Sequence, residues 1–190
     1  MFIQIEETPN PNTLKFLPGF TILDERETAD FSNQDEVKNS KLAADLFQIE
    51  HVVRVFFSHD FISVTKSDEI SWDILKVEIL TTVTNHFTSG GKALDRKGGS
   101  DNNIPDEEFF DENDIEIVNR IKELMENYIK PAVTQDGGDI KFRGYKDGIV
   151  YVELQGACSG CPSAAITLKQ GVQNMLCYHI PEVSGIETML

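Results

Sequence analysis

Apolar residues recur along this chain in two rhythms, and the changes of rhythm mark its elements. In FIQIEE, residues 2–7, Ile3 and Ile5 alternate with Phe2, Gln4 and Glu6, the period of two that a half-buried strand requires. TPNPNT follows, where Pro9 and Pro11 exclude helix and favour an extended turn. LKFLPG then reads as a second strand. In SKLAADLFQIE the spacing lengthens: Leu42, Leu46 and Ile49 share one helical face, with Ser40 placed to cap it. HVVRVFFSHDFISVTK predicts two strands reversing near Ser58–Asp60. SWDILKVEILTTVTNHF predicts a helix capped by Ser71, with Trp72, Leu75, Ile79, Val83 and Phe87 as its buried stripe. The expected order of this first domain, residues 1–89, is ββαββα.

From SGGKALDRKGGSDNNIPDEEFFDEND the rhythm is lost. Glycine doublets and a run of acids predict an acidic, flexible linker over residues 90–110, a solvated tether rather than a binding tail. Periodicity returns in DIEIVNRIKELMENYIK, where Ile117, Val118, Ile121, Leu124, Met125 and Tyr128 predict an amphipathic helix that Pro131 kinks or ends. DGGD, residues 136–139, supplies glycines for a turn with positive φ. IKFRGY and IVYVELQG, joined through Asp147-Gly148, predict a tight hairpin. Pro162 fits the first position of a helix whose apolar face is Ala165, Leu168, Val172, Met175 and Leu176. Pro181 stops that helix, and EVSGIETML predicts a last strand. Residues 111–190 therefore form a second domain of order αββαβ. The fold class expected is α+β: two small α/β-sandwich domains on a tether, with no internal repeat.

The chain of 190 residues carries 17 basic and 32 acidic side chains, a net charge of −15. A surface of that sign repels phosphate backbones and anionic membranes, so neither nucleic acid nor a membrane is an expected partner. MFIQIEETPN shows no basic or arginine-rich targeting pattern, which predicts a cytosolic, reducing compartment. Three cysteines in all agree with that compartment and exclude a disulfide scaffold.

Two of the cysteines, Cys158 and Cys161, lie in GACSGCPS between the hairpin and the following helix. The helix dipole and its free N–H groups favour anions there, and no acid occurs nearby in sequence after Glu153, so both thiols are expected to ionise readily. Gly156, Ala157, Ser159 and Gly160 predict an open loop. A structural zinc or a common iron–sulfur cluster takes four ligands, and this loop offers two. Cys177, sixteen residues further along one helix, is roughly 24 Å away at about 1.5 Å per residue and cannot join the site, nor can His179. His51, His59 and His86 fall in the first domain without metal-ligand spacing.

Three readings remain. One is a redox dithiol; a second is a structural role, as buried thiols or half a zinc site; the third is a cluster shared by two chains, with Cys158 and Cys161 from each. The dithiol reading expects a βαβ unit feeding a parallel sheet, and the hairpin ahead of the loop gives a different order. Asp136 and Asp139 are read as turn residues rather than ligands. Trp72 is read as packing, and Glu6, Asn10 and Asn12 as orienting the first turn.

The stretches QDGGDIKFRGYKDGIVYVELQGACSGCPSAAITLKQGVQNML and IPEVSGIE resemble the Nfu family, the NifU C-terminal-like iron–sulfur carriers. ETPNPNTLKFLPG resembles the amino-terminal domain of many members. The resemblance implies a 4Fe–4S cluster bridged between two subunits by Cys158 and Cys161. It also implies a carrier rather than an enzyme, a homodimer when loaded, an upstream scaffold as donor and apo-proteins as clients, aconitase-type and lipoyl-synthase-type enzymes among them. With no transit peptide in view, it points to a bacterial, cytoplasmic member, or to the mitochondrial matrix if a presequence has been removed. Cys177 has no role in it.

Overall fold

The computed structural model describes residues 2–25, 27–95, 108–159 and 162–189, without the side chains of Glu36, Pro162, Ser163, Ala164, Ala165 and Thr167. The chain divides into two compact units, Met1–Gly99 and Ser100–Leu190.

In the first unit β1 (Gln4–Glu7), β2 (Thr13–Leu17), β3 (Ala29–Phe31), β4 (Val52–Phe57) and β5 (Ile62–Lys66) form one sheet in the order β1-β2-β5-β4-β3. Every neighbouring pair is antiparallel. α1 (Lys41–Phe47) and α2 (Trp72–Thr88) join the core that Phe16, Val55, Phe57, Ile62 and Val64 build on one face of the sheet. The predicted stripe of α2 holds: Leu75, Ile79 and Val83 are buried, and Trp72 and Phe87 pack against them at the margin. Trp72 also donates from Nε1 to the carbonyl of Pro11 at 2.9 Å, fastening the helix to the first turn. Asn10 is buried and its Oδ1 accepts from the Asn12 amide, so it holds that turn.

The order observed is βββαββα. β3 was not expected, because the stretch around it has no period and the strand is only three residues long. Tertiary contacts make it: it pairs with β4, Phe31 meets Phe57 edge-on at 5.7 Å, and Asp30 receives both Nε and Nη2 of Arg54. Such a bidentate pair fixes direction as well as charge.

In the second unit α3 (Ile115–Leu124) passes through a wide π turn (Met125–Ile129) into α4 (Lys130–Gln135). Pro131 therefore does not end the helix, as the sequence suggested it could. The wide turn absorbs the missing donor and the ring. The extra residue also changes which side chains face inward. Met125, Ile129 and Val133 continue the buried row from Val118 and Ile121, whereas Tyr128, placed on that face from its spacing, is 62% exposed.

β6 (Gly138–Lys146) and β7 (Ile149–Gly156) form the expected hairpin. Asp147 and Gly148 both have positive φ, +50° and +81°, the combination a tight two-residue turn needs. α5 (Pro162–His179) then crosses to β8 (Gly185–Met189), which pairs with β7 in parallel. Val172 and Leu176 of α5 are buried against this sheet, and Leu168 and Met175 flank them.

The tether expected over residues 90–110 is anchored at both ends. Ala93 is buried in the first core, and Asp95 donates its amide to the Asn39 carbonyl. At the other end Phe109 bridges to Gly144 of β6, and Phe110 packs on the second core. Residues 96–107, the middle of that tether, lie outside the described residues.

Ser40 does two jobs in the first unit. Its Oγ accepts from the Ala43 amide at 3.0 Å, capping α1 as predicted, and donates to the Ala93 carbonyl at 2.6 Å. Ser40→Ala should therefore destabilise the first unit by about 1–2 kcal/mol, the upper range for a lost cap. Urea unfolding followed by Trp72 fluorescence reads this out; an unchanged midpoint would show that neither bond matters.

Candidate functional site

The site forms where the far end of the β6–β7 hairpin meets the cysteine loop. Counting from the tight turn, Lys146 faces Ile149 and Gly144 faces Tyr151. A bulge between Phe142 and Gly144 then shifts the register by one residue. As a result Gly138, and not Asp139, stands opposite Gly156 at the end of the sheet. This exchange matters because of what lies beneath. A Cβ at Gly138 would stand 2.5 Å from the Gln155 carbonyl oxygen and 2.8 Å from Sγ of Cys158. The Ala157 amide donates to the Gly137 carbonyl at 3.1 Å, closing the glycine turn onto the cysteine loop. Gly137 takes the positive φ expected of this turn, +86°, while Gly138 is needed for close approach.

Cys158 is buried, 5% exposed, and belongs to the second hydrophobic core. For Cys158 this corrects the expectation of an open loop with readily ionised thiols. Burial first, and then the carboxylates of Asp136 and Asp139, push the Cys158 thiol up to about 12. The sequence showed no acid close to the cysteines because these two come from the end of α4 and the start of the strand paired with β7. The chain distance was long and the spatial distance short. Asp139 is also more than a turn former: it is buried, and its Oδ1 accepts the Ile140 amide at 2.8 Å. Cys161 and Gly160 lie outside the described residues.

Cys177 sits on α5, fifteen residues past Pro162, roughly 22 Å along the axis at about 1.5 Å per residue. Its side chain is half-buried against the core. His51, His59 and His86 are apart from one another and engaged locally, with Ser67, the Leu23 carbonyl and the Lys92 carbonyl. Among the described residues, no three His, Cys, Asp or Glu side chains gather in a metal-binding group.

The setting of the loop differs from expectation in one further respect. Because β8 is parallel to β7, the segment β7–α5–β8 is a βαβ unit, with the cysteine loop at the carboxyl end of its first strand. Ligand sites favour that position in parallel sheets. The element order is therefore compatible with a redox dithiol, and the state of the thiol distinguishes the readings.

Residues 3–90 match the family described as scaffold protein Nfu/NifU N terminal, and residues 121–187 match the NifU-like domain. Over 191 residues the chain is 47% identical to the NFU1 iron-sulfur cluster scaffold homolog, mitochondrial, of Homo sapiens, taking in 100% of this chain and 72% of that protein. The chain belongs to the Nfu family. A second Nfu relative, NifU-like protein 4, mitochondrial, of Arabidopsis thaliana, is 47% identical over 190 residues, 98% of this chain and 65% of that one. Among solved structures, the NifU-like protein from Saccharomyces cerevisiae aligns with 51% of this chain and 87% of its own, at 29% identity and a TM-score of 0.46. The curated relatives named here are mitochondrial proteins, so the expectation of a bacterial cytoplasmic protein finds no support among them, and the mitochondrial alternative is the one they agree with.

Two consequences of the geometry can be measured. Gly138→Ala should force the Cys158 sulfur or the Gln155 carbonyl aside, destabilise the second unit by about 1–3 kcal/mol as overpacking does, and speed alkylation of Cys158. Wild-type labelling speed in a Cys161→Ser, Cys177→Ser background would show the contact to be slack. Metal-free Cys158 should also stay protonated at neutral pH. A group whose pKa is raised loses its proton only as pH climbs past the ordinary thiol range, so any metal that needs its thiolate should bind more tightly as pH rises. Zinc or cadmium titrations at several pH values test the sign.

Proposed function

We propose that this chain is a carrier of iron–sulfur clusters, not an enzyme. Two copies hold one 4Fe–4S cluster as cargo through Cys158 and Cys161 of each, and pass it to apo-proteins. The observation that supports this most is the ligand count in its place. Cys158 lies just past the carboxyl end of β7 in the unit that matches the NifU-like domain, Cys161 follows three residues later in the sequence, and the third cysteine is far along α5. A cluster of this kind takes four thiolates, and two chains make the set complete.

The residues present suit such cargo. The loop leads into the amino-terminal end of α5, where backbone N–H groups and the helix dipole favour an anion. Gly138 leaves the Cys158 sulfur room against the sheet without a side chain of its own. Hand-over is an exchange of ligands. A client thiolate forms a bond to iron as the bond from Cys158 or Cys161 breaks; no electron moves, and the proton the client thiol gave up can return to the released sulfur. The raised pKa of free Cys158 favours that return. With only two bonds per chain, parting the dimer frees the cargo without unfolding either unit. The first unit, which matches the Nfu/NifU amino-terminal family, is assigned recognition of the client or of the upstream donor.

One observation favours a second reading, thiol–disulfide exchange: the βαβ setting of the loop. Against it stands the buried Cys158 thiol. The attacking species in such exchange is a thiolate, and reactive cysteines have lowered pKa values in accessible, electropositive surroundings. Here burial and two carboxylates act in the opposite direction.

Anaerobic reconstitution should give a brown protein with one cluster per two chains. Cys158→Ser and Cys161→Ser should each abolish uptake, and Cys177→Ser should not. Iron and zinc analysis of protein purified without oxygen separates the readings: zinc alone would indicate a structural site, and no metal with disulfide turnover an oxidoreductase. A Cys161→Ser chain that keeps its iron would end the carrier proposal.

A further inference from the structure

We propose that the buried carboxylate of Asp139, seconded by Asp136, weakens the hold on the anionic cluster and so sets the pace of hand-over. This rests on the carrier reading above and assigns it a residue on the releasing side.

The placement is specific. Gly138, whose backbone lies against the Cys158 sulfur, has Asp139 directly after it and Asp136 two residues before it. The register puts Asp139 across from Gln155, beside Gly156 and the start of the cysteine loop. Asp139 is 6% exposed, so water screens its charge poorly. The Ile140 amide donates to its Oδ1 at 2.8 Å, which fixes where the carboxylate sits. Among the described residues both charged groups that act on Cys158 are carboxylates. Asp136 also terminates α4, its own amide donating to the Ala132 carbonyl, so the negative end of a helix dipole faces the same turn. On β6 itself, Arg143 is occupied with Glu153.

A thiolate-held cubane in its usual oxidised state is an anion. The cysteine loop thus meets two opposed fields: the positive end of α5, which favours the cargo, and the carboxylates of the glycine turn, which oppose it. When a client thiolate displaces Cys158, negative charge leaves the neighbourhood of Asp139 and the repulsion is relieved. The exchange needs no oxidant or reductant. The role of Asp139 is electrostatic positioning; it forms no bond to iron.

The test compares the loaded wild-type chain with Asp139→Asn, Asp139→Glu and Asp136→Asn, following loss of the brown absorbance to a chelator. Asp139→Asn should release its cluster about tenfold more slowly, the scale of one poorly screened charge, and Asp139→Glu at the wild-type rate. The midpoint potential of the bound cluster should rise in Asp139→Asn, since the more negative reduced form is no longer opposed; loss of a purely structural contact gives no such paired change. Asp136→Asn should act in the same direction by less, and its effect should vanish near 1 M salt, where the Debye length is about 3 Å. If Asp139→Asn fails to fold, the salt-dependent effect of Asp136→Asn decides. Asparagine variants that load normally and release at the wild-type rate or faster, with unchanged potential, overturn this inference alone. A wild-type chain that takes up no cluster overturns the carrier reading first, and this one with it.

Discussion

The second unit is organised around one close approach, the backbone of Gly138 against the sulfur of Cys158. Several features far from the cysteines exist in the geometry that permits it. The two-residue turn at Asp147-Gly148 fixes the register of β6 and β7 at one end, and the bulge between Phe142 and Gly144 shifts it by one at the other. Without that bulge Asp139 would face Gly156, and a side chain would occupy the space the sulfur uses. A one-residue slip also exchanges the two faces of a strand, so register and site cannot be chosen independently. The bulge has a second consequence. A Cβ at Gly144 would stand 2.6 Å from the ring and carbonyl of Phe109, so the end of the tether seats itself at the same irregularity that sets the register.

How much of this was legible in the sequence depends on how local the cause is. The long helices, their caps at Ser40 and Ser71, the β6–β7 hairpin and its turn all follow from period and turn chemistry within a few residues, and the structure has them. β3 has no such local cause; it exists through Phe31, Asp30 and their partners on β4. Tyr128 was misplaced because a regular helix was assumed across residues where a π turn inserts an extra one ahead of Pro131. The parallel pairing of β8 with β7 was equally invisible, since a short apolar strand after a helix carries no mark of its direction.

The same division runs through the candidate site. The cysteine pair and the remoteness of Cys177 are matters of spacing, which a sequence records. The electrostatics of Cys158 are not. Reading along the chain, the loop is bare of acids and leads into a helix, and both facts suggest an easily ionised thiol. Folded, the glycine turn between α4 and β6 delivers Asp136 and Asp139 to the same place, and the core closes over the sulfur. Desolvation dominates, as it does for buried ionisable groups generally.

With Cys158 as a cluster ligand, as proposed, its buried, protonated sulfur and its ligand form are different states of one residue, and the difference between them bears on what a carrier must do. A site whose thiols were permanently exposed and ionised would bind cargo avidly and would also react with oxidants and stray metals while empty. Keeping Cys158 in the core when the chain is empty protects it, and it makes loading pay a cost in desolvated carboxylates and a lost proton. That cost lowers the net affinity for the cluster without removing any bond to it. For an enzyme cofactor this would be a defect, since retention is the requirement. For cargo it has the right sign, because whatever opposes retention in the carrier is recovered when a client with a less hostile site takes over. On the carrier reading proposed above, the acids of the glycine turn, the burial of the thiol and the sharing of ligands between chains would act on one quantity, the free energy by which the carrier holds its load, and all three would reduce it.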